Sequence, residues 1–235
     1  MSIKSEILRF QSIVYRKFYS NKKKVSNVSD QFHLLFYDSF LFGKTWAEST
    51  WMGVHIKKCP FDTWMYQEIL HELKPDLIVE CGTYKGGSAF FLASLCDLIG
   101  KGEILTIDIE NFPNKPVHPR IKYLTGSTVD EAILKQVEAA CLDKKVVIVI
   151  LDDDHTRDHV LKEMNMYSKY VTIGSYMLVE DSNINGHPVY PEFGPGPYEA
   201  IEDFFKSNNS FEIDKSKEKF YVTFNPNGYL KKIKN

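Results

Sequence analysis

"LIVECGTYKGGSAFFLASLCDLI", residues 77–99, sets a short apolar run before a glycine-bearing turn and then opens a longer apolar run. A short β-rich segment, a turn and a helical segment make the first half of a strand–helix–strand unit. The pattern continues in both directions. Upstream, "PFDTWMYQEILHEL" (60–73) reads as a helix with Pro60 at its start. Downstream come strands "EILTIDI" (103–109) and "IKYLTG" (121–126), helix "VDEAILKQVEAACL" (129–142) and strand "VVIVILDDD" (146–154). Helix "RDHVLKEMNMYSKYV" (157–171), strand "SYMLVED" (175–181) and helix "PYEAIEDFFKS" (197–207), started by Pro197, follow. Short apolar strands alternating with helices predict an α/β fold of right-handed units, a doubly wound and mostly parallel sheet covered on both faces. At the end, "FYVTFNPNGYLKK" (220–232) carries "NPNG" between β-rich arms and predicts a C-terminal antiparallel hairpin.

The N-terminal part is different. Ile3, Ile7, Phe10, Val14 and Phe18 fall at helical steps and predict an amphipathic helix, which "NKKKVSNVSD" (21–30) ends with polar, turn-prone residues. "FHLLFYDSFLFGKTWAESTWMG" (32–53) is too aromatic for a free linker and is expected to cover a site entrance or a subunit contact. The expected organisation is a helical, aromatic appendage over 1–45 and the main domain over 46–235, with the chain assembling as a homo-oligomer. A basic amphipathic helix can also lie on a membrane surface, but packing on the domain or on a second subunit is the commoner use.

Composition narrows the partners. At 235 residues, 43% hydrophobic and a formal net charge of -2, the chain can bury one sizeable core and lacks the basic footprint of a nucleic-acid binder. Cysteines at 59, 81, 96 and 141 have no metal-knuckle spacing and read as reduced and structural. There is no apolar run of membrane-spanning length, and charges interrupt the first apolar positions, so a cytoplasmic location is expected.

In doubly wound sheets, ligands sit beyond the carboxyl ends of the strands at the switch point. Those ends carry Glu80, Gly82, Asp108, Gly126, Asp152, Glu180 and Asp181. The turn "VECGTYKGGS" (79–88) lacks both the dinucleotide spacing and the G-K-[ST] ending of a phosphate loop, which demotes NAD and ATP. Asp108, about 20 residues further on, suits a pair of ribose hydroxyls. Plain strand-to-helix packing is the alternative reading of the turn.

Asp152, Asp153 and Asp154 pose an electrostatic problem, because adjacent carboxylates raise one another's pKa unless a cation or strong donors offset the repulsion. Neighbouring parallel strands lie about 4.8 Å apart, so Glu180 and Asp181 can converge with them on one ion. Oxygen donors suit Mg²⁺, Mn²⁺ or Ca²⁺ better than zinc. The alternative is that the run caps the helix starting near Arg157. The Gly- and Pro-rich loop "SNINGHPVYPEFGPGP" (182–197) has the length of a binding loop, which makes His187, Tyr190 and Phe193 candidate substrate contacts. His159 is expected at the surface.

Glu80-x-Gly82-x-Tyr84-x-Gly86-x-Ser88 resembles the first motif of class I S-adenosylmethionine-dependent methyltransferases, in the form found in metal-dependent catechol-type O-methyltransferases. The longer stretch from "TW" at 45 to "GYL" at 228 is similar to the cephalosporin hydroxylase and rhamnosyl O-methyltransferase family. "ECGTYKGGSAFFLA", "LTIDI", "HPRIKYLTGST", "LDDDHTRDHVLKEM", "GSYMLVED" and "GPGPYEAI" carry that likeness, in the family's order. The resemblance implies that Glu80, Gly82, Tyr84, Ser88, Asp108 and Ser127 line an S-adenosylmethionine pocket. It also implies that Asp152, Glu180 and Asp181 hold a divalent metal, Mg²⁺ first, with Asp153 pointing elsewhere and Asp154 an alternative ligand. His155 stands where catechol-type enzymes carry a lysine base, and an imidazole can take a hydroxyl proton near neutral pH. The implied activity is metal-dependent methyl transfer to a hydroxyl of a sugar or small natural product. Two other classes stay open: an oxygenase, which normally needs two histidines and a carboxylate, and a non-catalytic binding protein on the same fold.

Overall fold

Alternation along each strand divides the apolar residues between two helical layers. The computed structural model describes residues 3–19 and 22–235, with the side chains of Phe18 and Tyr19 outside the described set. Helices α1 (Ile3–Tyr19) and α2 (Lys22–Tyr37) come first, then a 3₁₀ turn and a small hairpin of β1 (Thr50–Trp51) and β2 (Val54–His55). The main domain continues as α3 (Pro60–Leu73), β3 (Leu77–Cys81), α4 (Gly87–Ile99), β4 (Glu103–Asp108), β5 (Ile121–Thr125), α5 (Glu131–Cys141) and β6 (Val147–Leu151). It ends with α6 (Arg157–Tyr167), β7 (Tyr176–Val179), α7 (Pro197–Ser207), β8 (Phe211–Ile213) and β9 (Tyr229–Lys232).

The seven-stranded sheet runs β5-β4-β3-β6-β7-β9-β8, parallel as far as β7, with β9 antiparallel to both β7 and β8. Leu77, Val79, Val147, Val149, Met177 and Val179 face α5, α6 and α7, packing with Val137, Met164 and Phe204. Ile78, Ile148, Ile150 and Leu178 face α3 and α4, packing with Met65, Ile69, Leu92 and Cys96. A parallel sheet buried on both faces needs such runs of apolar residues on every strand. The four cysteines are free. No helix among the described residues is long and apolar enough to cross a membrane.

Two local expectations are corrected. The polar run expected to be a turn is helical from Lys22 onward, as part of α2, while Asn21 lies outside the described residues. Packing overrides its turn propensity: the buried His33 stacks on Phe224 with ring centroids 5.7 Å apart, and Phe36 lies 6.1 Å from the same ring. Asn183 Nδ2 donates to His33 Nε2 at 3.0 Å, and burial lowers the histidine to about 4, so it accepts as a neutral ring. The second correction concerns one arm of the C-terminal antiparallel hairpin, which is present but is formed by β8 and β9. β9 pairs with Phe211–Ile213 rather than with "FYVTF" (220–224), and "NPNG" only turns the chain into β9.

"FYVTF" gives its hydrogen bonds to a buried carboxylate instead. Asp62 Oδ1 accepts from Thr223 Oγ1 (2.5 Å) and Tyr229 Oη (2.8 Å), and Oδ2 accepts from the Phe224 amide (2.8 Å). One side chain at the start of α3 thereby fixes the segment that leads into β9. Asp62→Ala should cost about 3 kcal/mol, since buried donors left unpaired each cost roughly 1–3 kcal/mol. Urea denaturation would check this; a loss below about 1 kcal/mol would mean the segment is held by other contacts.

Candidate active site

β3 is flanked by β4 on one side and β6 on the other, so the chain winds outward from β3 in one direction and later returns to wind in the other. A crevice opens where the direction reverses. Gly82 sits there at φ 99°, and a Cβ on it would lie 2.0 Å from the Asp152 carbonyl oxygen. A Cβ on Gly87 would lie 1.9 Å from the His55 carbonyl oxygen. Both glycines are therefore demanded by backbone packed against backbone, which draws the ends of β3 and β6 together and presses the 55–58 segment onto the start of α4.

The crevice is a cavity of about 630 Å³ whose walls include Gly82, Tyr84, Ser88, Asp108, Ser127, Asp152, His155 and Asp181. Tyr37 and Trp46 close it from the N-terminal side. The Trp46 Nε1–H donates to the Tyr37 carbonyl at 2.8 Å, and the two rings stack 5.2 Å apart. Asp108 is locked by backbone: Oδ2 accepts from the Tyr84 amide (2.7 Å) and Oδ1 from the Glu110 amide (2.8 Å). Each oxygen keeps a lone pair for a ligand hydroxyl.

Glu80 lies fully buried beneath this wall, its Oε2 accepting from Thr106 Oγ1 at 2.6 Å. Its Oε1 and the Ser88 Oγ are both buried and make no well-formed hydrogen bond among the described residues. Buried polar atoms are normally paired. This orphaned couple fits the polar end of a bound small molecule, such as an amino group.

Strand parity explains how the acidic run is divided. Leu151 pairs with Val179, so Asp152 and Glu180 follow side by side on adjacent strands. They continue the face of Ile148, Ile150 and Leu178, toward α3 and α4. Lys58 meets them there, its Nζ 2.5 Å from Asp152 Oδ2 and 2.5 Å from Glu180 Oε2. Glu180 Oε1 accepts from Tyr66 Oη (2.7 Å), whose oxygen accepts from Asn225 Nδ2 (3.0 Å). Asp153, one residue on, turns to the opposite face, where its Oδ2 accepts from Thr128 Oγ1 at 3.0 Å and lies 3.3 Å from His159 Nε2.

Asp181 stands at φ 52° and leaves the strand alternation, its amide donating to Asn225 Oδ1 at 3.2 Å. Its Oδ2 lies 3.2 Å from His155 Nε2. Donor atoms of Asp152, His155 and Asp181 all fall within 4.8 Å of one another, so the two carboxylates can hold a hard divalent cation with the imidazole beside them. Of the three residues expected to hold metal, Asp152 and Asp181 thus converge with His155, while Glu180 stands beside Asp152 and faces Lys58. Burial opposes charge on His155, but Asp181, Asp152, Asp153 and Glu180 outweigh it and raise the imidazole above its ordinary value.

Other expectations fare differently. The aspartates do not cap α6: its N-cap is Thr156, without a side-chain cap, and Asp154 Oδ1 accepts from the Thr156 amide at 2.8 Å. His159 is half-buried rather than a surface group, paired with Asp153 and 3.6 Å from the buried Glu163. His187, Tyr190 and Phe193 do not line the cavity; His187 stacks on Tyr198 at 3.7 Å and bonds Glu199 at 2.9 Å. Lys58 went unnoticed in the sequence. It stands two residues before α3 begins, outside the helical repeat, so its spacing carries no signal of its own.

The family described as rhamnosyl O-methyltransferase/CmcI matches residues 43–233 of the chain. A rhamnosyl O-methyltransferase of Mycobacterium bovis (strain BCG / Pasteur 1173P2) is 40% identical over 210 residues, covering 86% of this chain and 84% of that protein. The rhamnosyl O-methyltransferase of Mycobacterium leprae (strain TN) is 38% identical over 214 residues, covering 88% of this chain and 92% of the relative. Among solved structures, CmcI with Mg and SAM superposes with a TM-score of 0.62 at 20% identity, covering 80% of this chain and 77% of the other. At that identity the likeness speaks to the fold.

Burial pushes Asp152 up to about 6 and Glu180 up to about 7; Asp181 and Asp152 respectively add to the rise, and Lys58 opposes it. A ligand carboxylate must lose its proton, so Mg²⁺ affinity should be full above pH 7 and should fall roughly tenfold per pH unit, for each proton displaced, below it. Titration calorimetry at pH 8 and pH 6 would measure this. Equal affinity at both would exclude this carboxylate pair from metal binding.

Proposed function

Because the chain belongs to the rhamnosyl O-methyltransferase/CmcI family, we propose that it transfers the methyl group of S-adenosylmethionine to a hydroxyl of a sugar or small natural product, assisted by a divalent cation. The observation that carries this reading is that Ser88 and Asp108, with Glu80 buried behind the wall, and the Asp152–His155–Asp181 cluster line one cavity. When bound there, S-adenosylmethionine supplies the methyl group, and a divalent ion, Mg²⁺ first, supplies the positive charge that favours an ionised acceptor.

The protein's residues do the rest. Glu80 and Ser88 take the cofactor's polar end, Asp108 its ribose hydroxyls, and Gly82, Tyr84 and Ser127 line the pocket between them. Asp152, Glu180 and Asp181 supply the negative charge that holds the ion. His155 takes the acceptor's proton at Nε2, and Asp181, 3.2 Å away, stabilises the imidazolium that results. Tyr37 and Trp46 wall the acceptor side against water, and alignment of the reacting atoms is the remaining task.

In this reading, residues 46–235 are the methyltransferase domain, in accord with a family match that begins at residue 43, and residues 1–45 are an appendage that lends Tyr37 to the cavity. The exposed apolar side chains of Ile3, Phe10, Phe40 and Phe42 support a homo-oligomer. Four free cysteines support a reducing compartment, the cytoplasm.

S-adenosylhomocysteine should bind in calorimetry, and Asp108→Ala should weaken it by roughly 1.5–3 kcal/mol; no heat with the wild type would sink the methyltransferase reading. His155→Ala should slow methyl transfer by about 10² to 10⁴, with metal and cofactor affinity little changed. Single-turnover rates at pH 7 decide the second point, since a variant as fast as wild type assigns His155 to structure.

A further inference from the structure

Asp152 and Glu180 are neighbours on parallel strands, and both point into the α3/α4 side of the sheet, Glu180 buried and Asp152 part-exposed toward the cavity. Two carboxylates held at that spacing repel, and an unpaired buried charge such as that of Glu180 is among the costliest defects a fold can carry. Lys58 lies between them with its side chain 4% exposed. A lysine ammonium is a compact charge with several donors on a flexible stem, able to serve two carboxylates at once. The chain delivers it by a rigid route: the His55 carbonyl is packed against Gly87, Ile56 bonds back to Ser49, and α3 starts at Pro60.

Resting on the metal-dependent reading above, we propose that Lys58 is a positioning residue that serves as the built-in counter-cation of the metal site. It holds Asp152 and Glu180 together before the ion arrives and remains beside them afterwards. Three carboxylates against one ammonium leave two negative charges, the charge that one divalent cation cancels. The same ammonium repels the incoming ion, so the metal-free protein is stabilised and metal binding is weakened by a single side chain. The site stays assembled when empty and holds its ion exchangeably.

The test compares wild type with Lys58→Met, which keeps the bulk of the stem and removes the charge, in chelator-treated protein at pH 8. Thermal midpoints are recorded without metal and with saturating Mn²⁺, and the Mn²⁺ Kd is measured by calorimetry. Lys58→Met should melt lower than wild type without metal, gain more from Mn²⁺ than wild type gains, and bind Mn²⁺ roughly tenfold tighter or more, as loss of a nearby like charge requires. A merely space-filling lysine would lower the midpoint without enlarging the metal-induced rise.

Should Lys58→Met fail to fold in chelator, Glu180→Gln added to it removes one charge of each sign and should restore the metal-free fold; failure of that rescue overturns the proposal. An unchanged or weaker Mn²⁺ Kd, or a metal-induced rise no larger than in wild type, overturns it as well. If wild type itself shows neither heat nor a shift with Mn²⁺, the metal-dependent reading falls and takes this inference with it. S-adenosylhomocysteine binding, expected to be the same in both proteins, separates these results from damage to the cofactor pocket.

Discussion

Two carboxylates at the ends of adjacent parallel strands share one buried ammonium, and much of the molecule is arranged around that contact. Asp152 follows β6 and Glu180 follows β7, while Lys58 enters from the segment that precedes α3. Tyr66, within α3, donates to the other oxygen of Glu180. Asn225 then links Tyr66 to the backbone of Asp181, so the polar chain passes from the start of α3 across two strand ends to the C-terminal segment. Such a network specifies a geometry only when its members are satisfied, and here both oxygens of Glu180 are.

Strand parity decides what this contact can do. Side chains alternate between the faces of a sheet, so Asp152 and Asp153, adjacent in sequence, belong to different layers. Asp152 joins Lys58 and opens on the cavity. Asp153 joins Thr128, His159 and Glu163 on the α5/α6 side. An acidic run that looks like one cluster in sequence is two clusters in space, with different charge partners. Asp181 escapes the alternation through its left-handed backbone, and that departure sets it against His155.

The ends of the chain complete the site from outside the sheet. α2 is held by Phe224 through His33 and Phe36, and Phe224 is in turn held by Asp62 through its amide. That sequence of contacts places Tyr37 and Trp46 over the cavity, both rings also packed against Phe224. The acceptor side of the cavity is therefore built from residues far apart in the chain, and its shape depends on the packing of one phenylalanine.

The fold was legible in the sequence because it depends on periodicities that any short window contains. Strands at 77–81, 103–108 and 147–151, and helices opening at Pro60, Gly87 and Pro197, appear where apolar spacing and glycine or proline positions put them. The strand-end residues Glu80, Asp108, Asp152, Glu180 and Asp181 were legible for the same reason, since a doubly wound sheet gathers its strand ends at one crevice. Tertiary contacts alone decided the rest. Lys58 carries no local pattern that sets it apart from Lys57, and only the route of the chain over Gly87 buries one of them against two carboxylates. The helix over Lys22–Asp30 runs against its own turn-prone composition, because its stability comes from aromatic packing on a residue nearly two hundred positions away. "FYVTF" has the composition of a strand, yet it forms none, because Asp62 takes the Phe224 amide that a ladder would have used and anchors the Thr223 hydroxyl beside it. Local spacing reports what a segment prefers when its partners are interchangeable, and these three segments have partners that only the folded chain supplies.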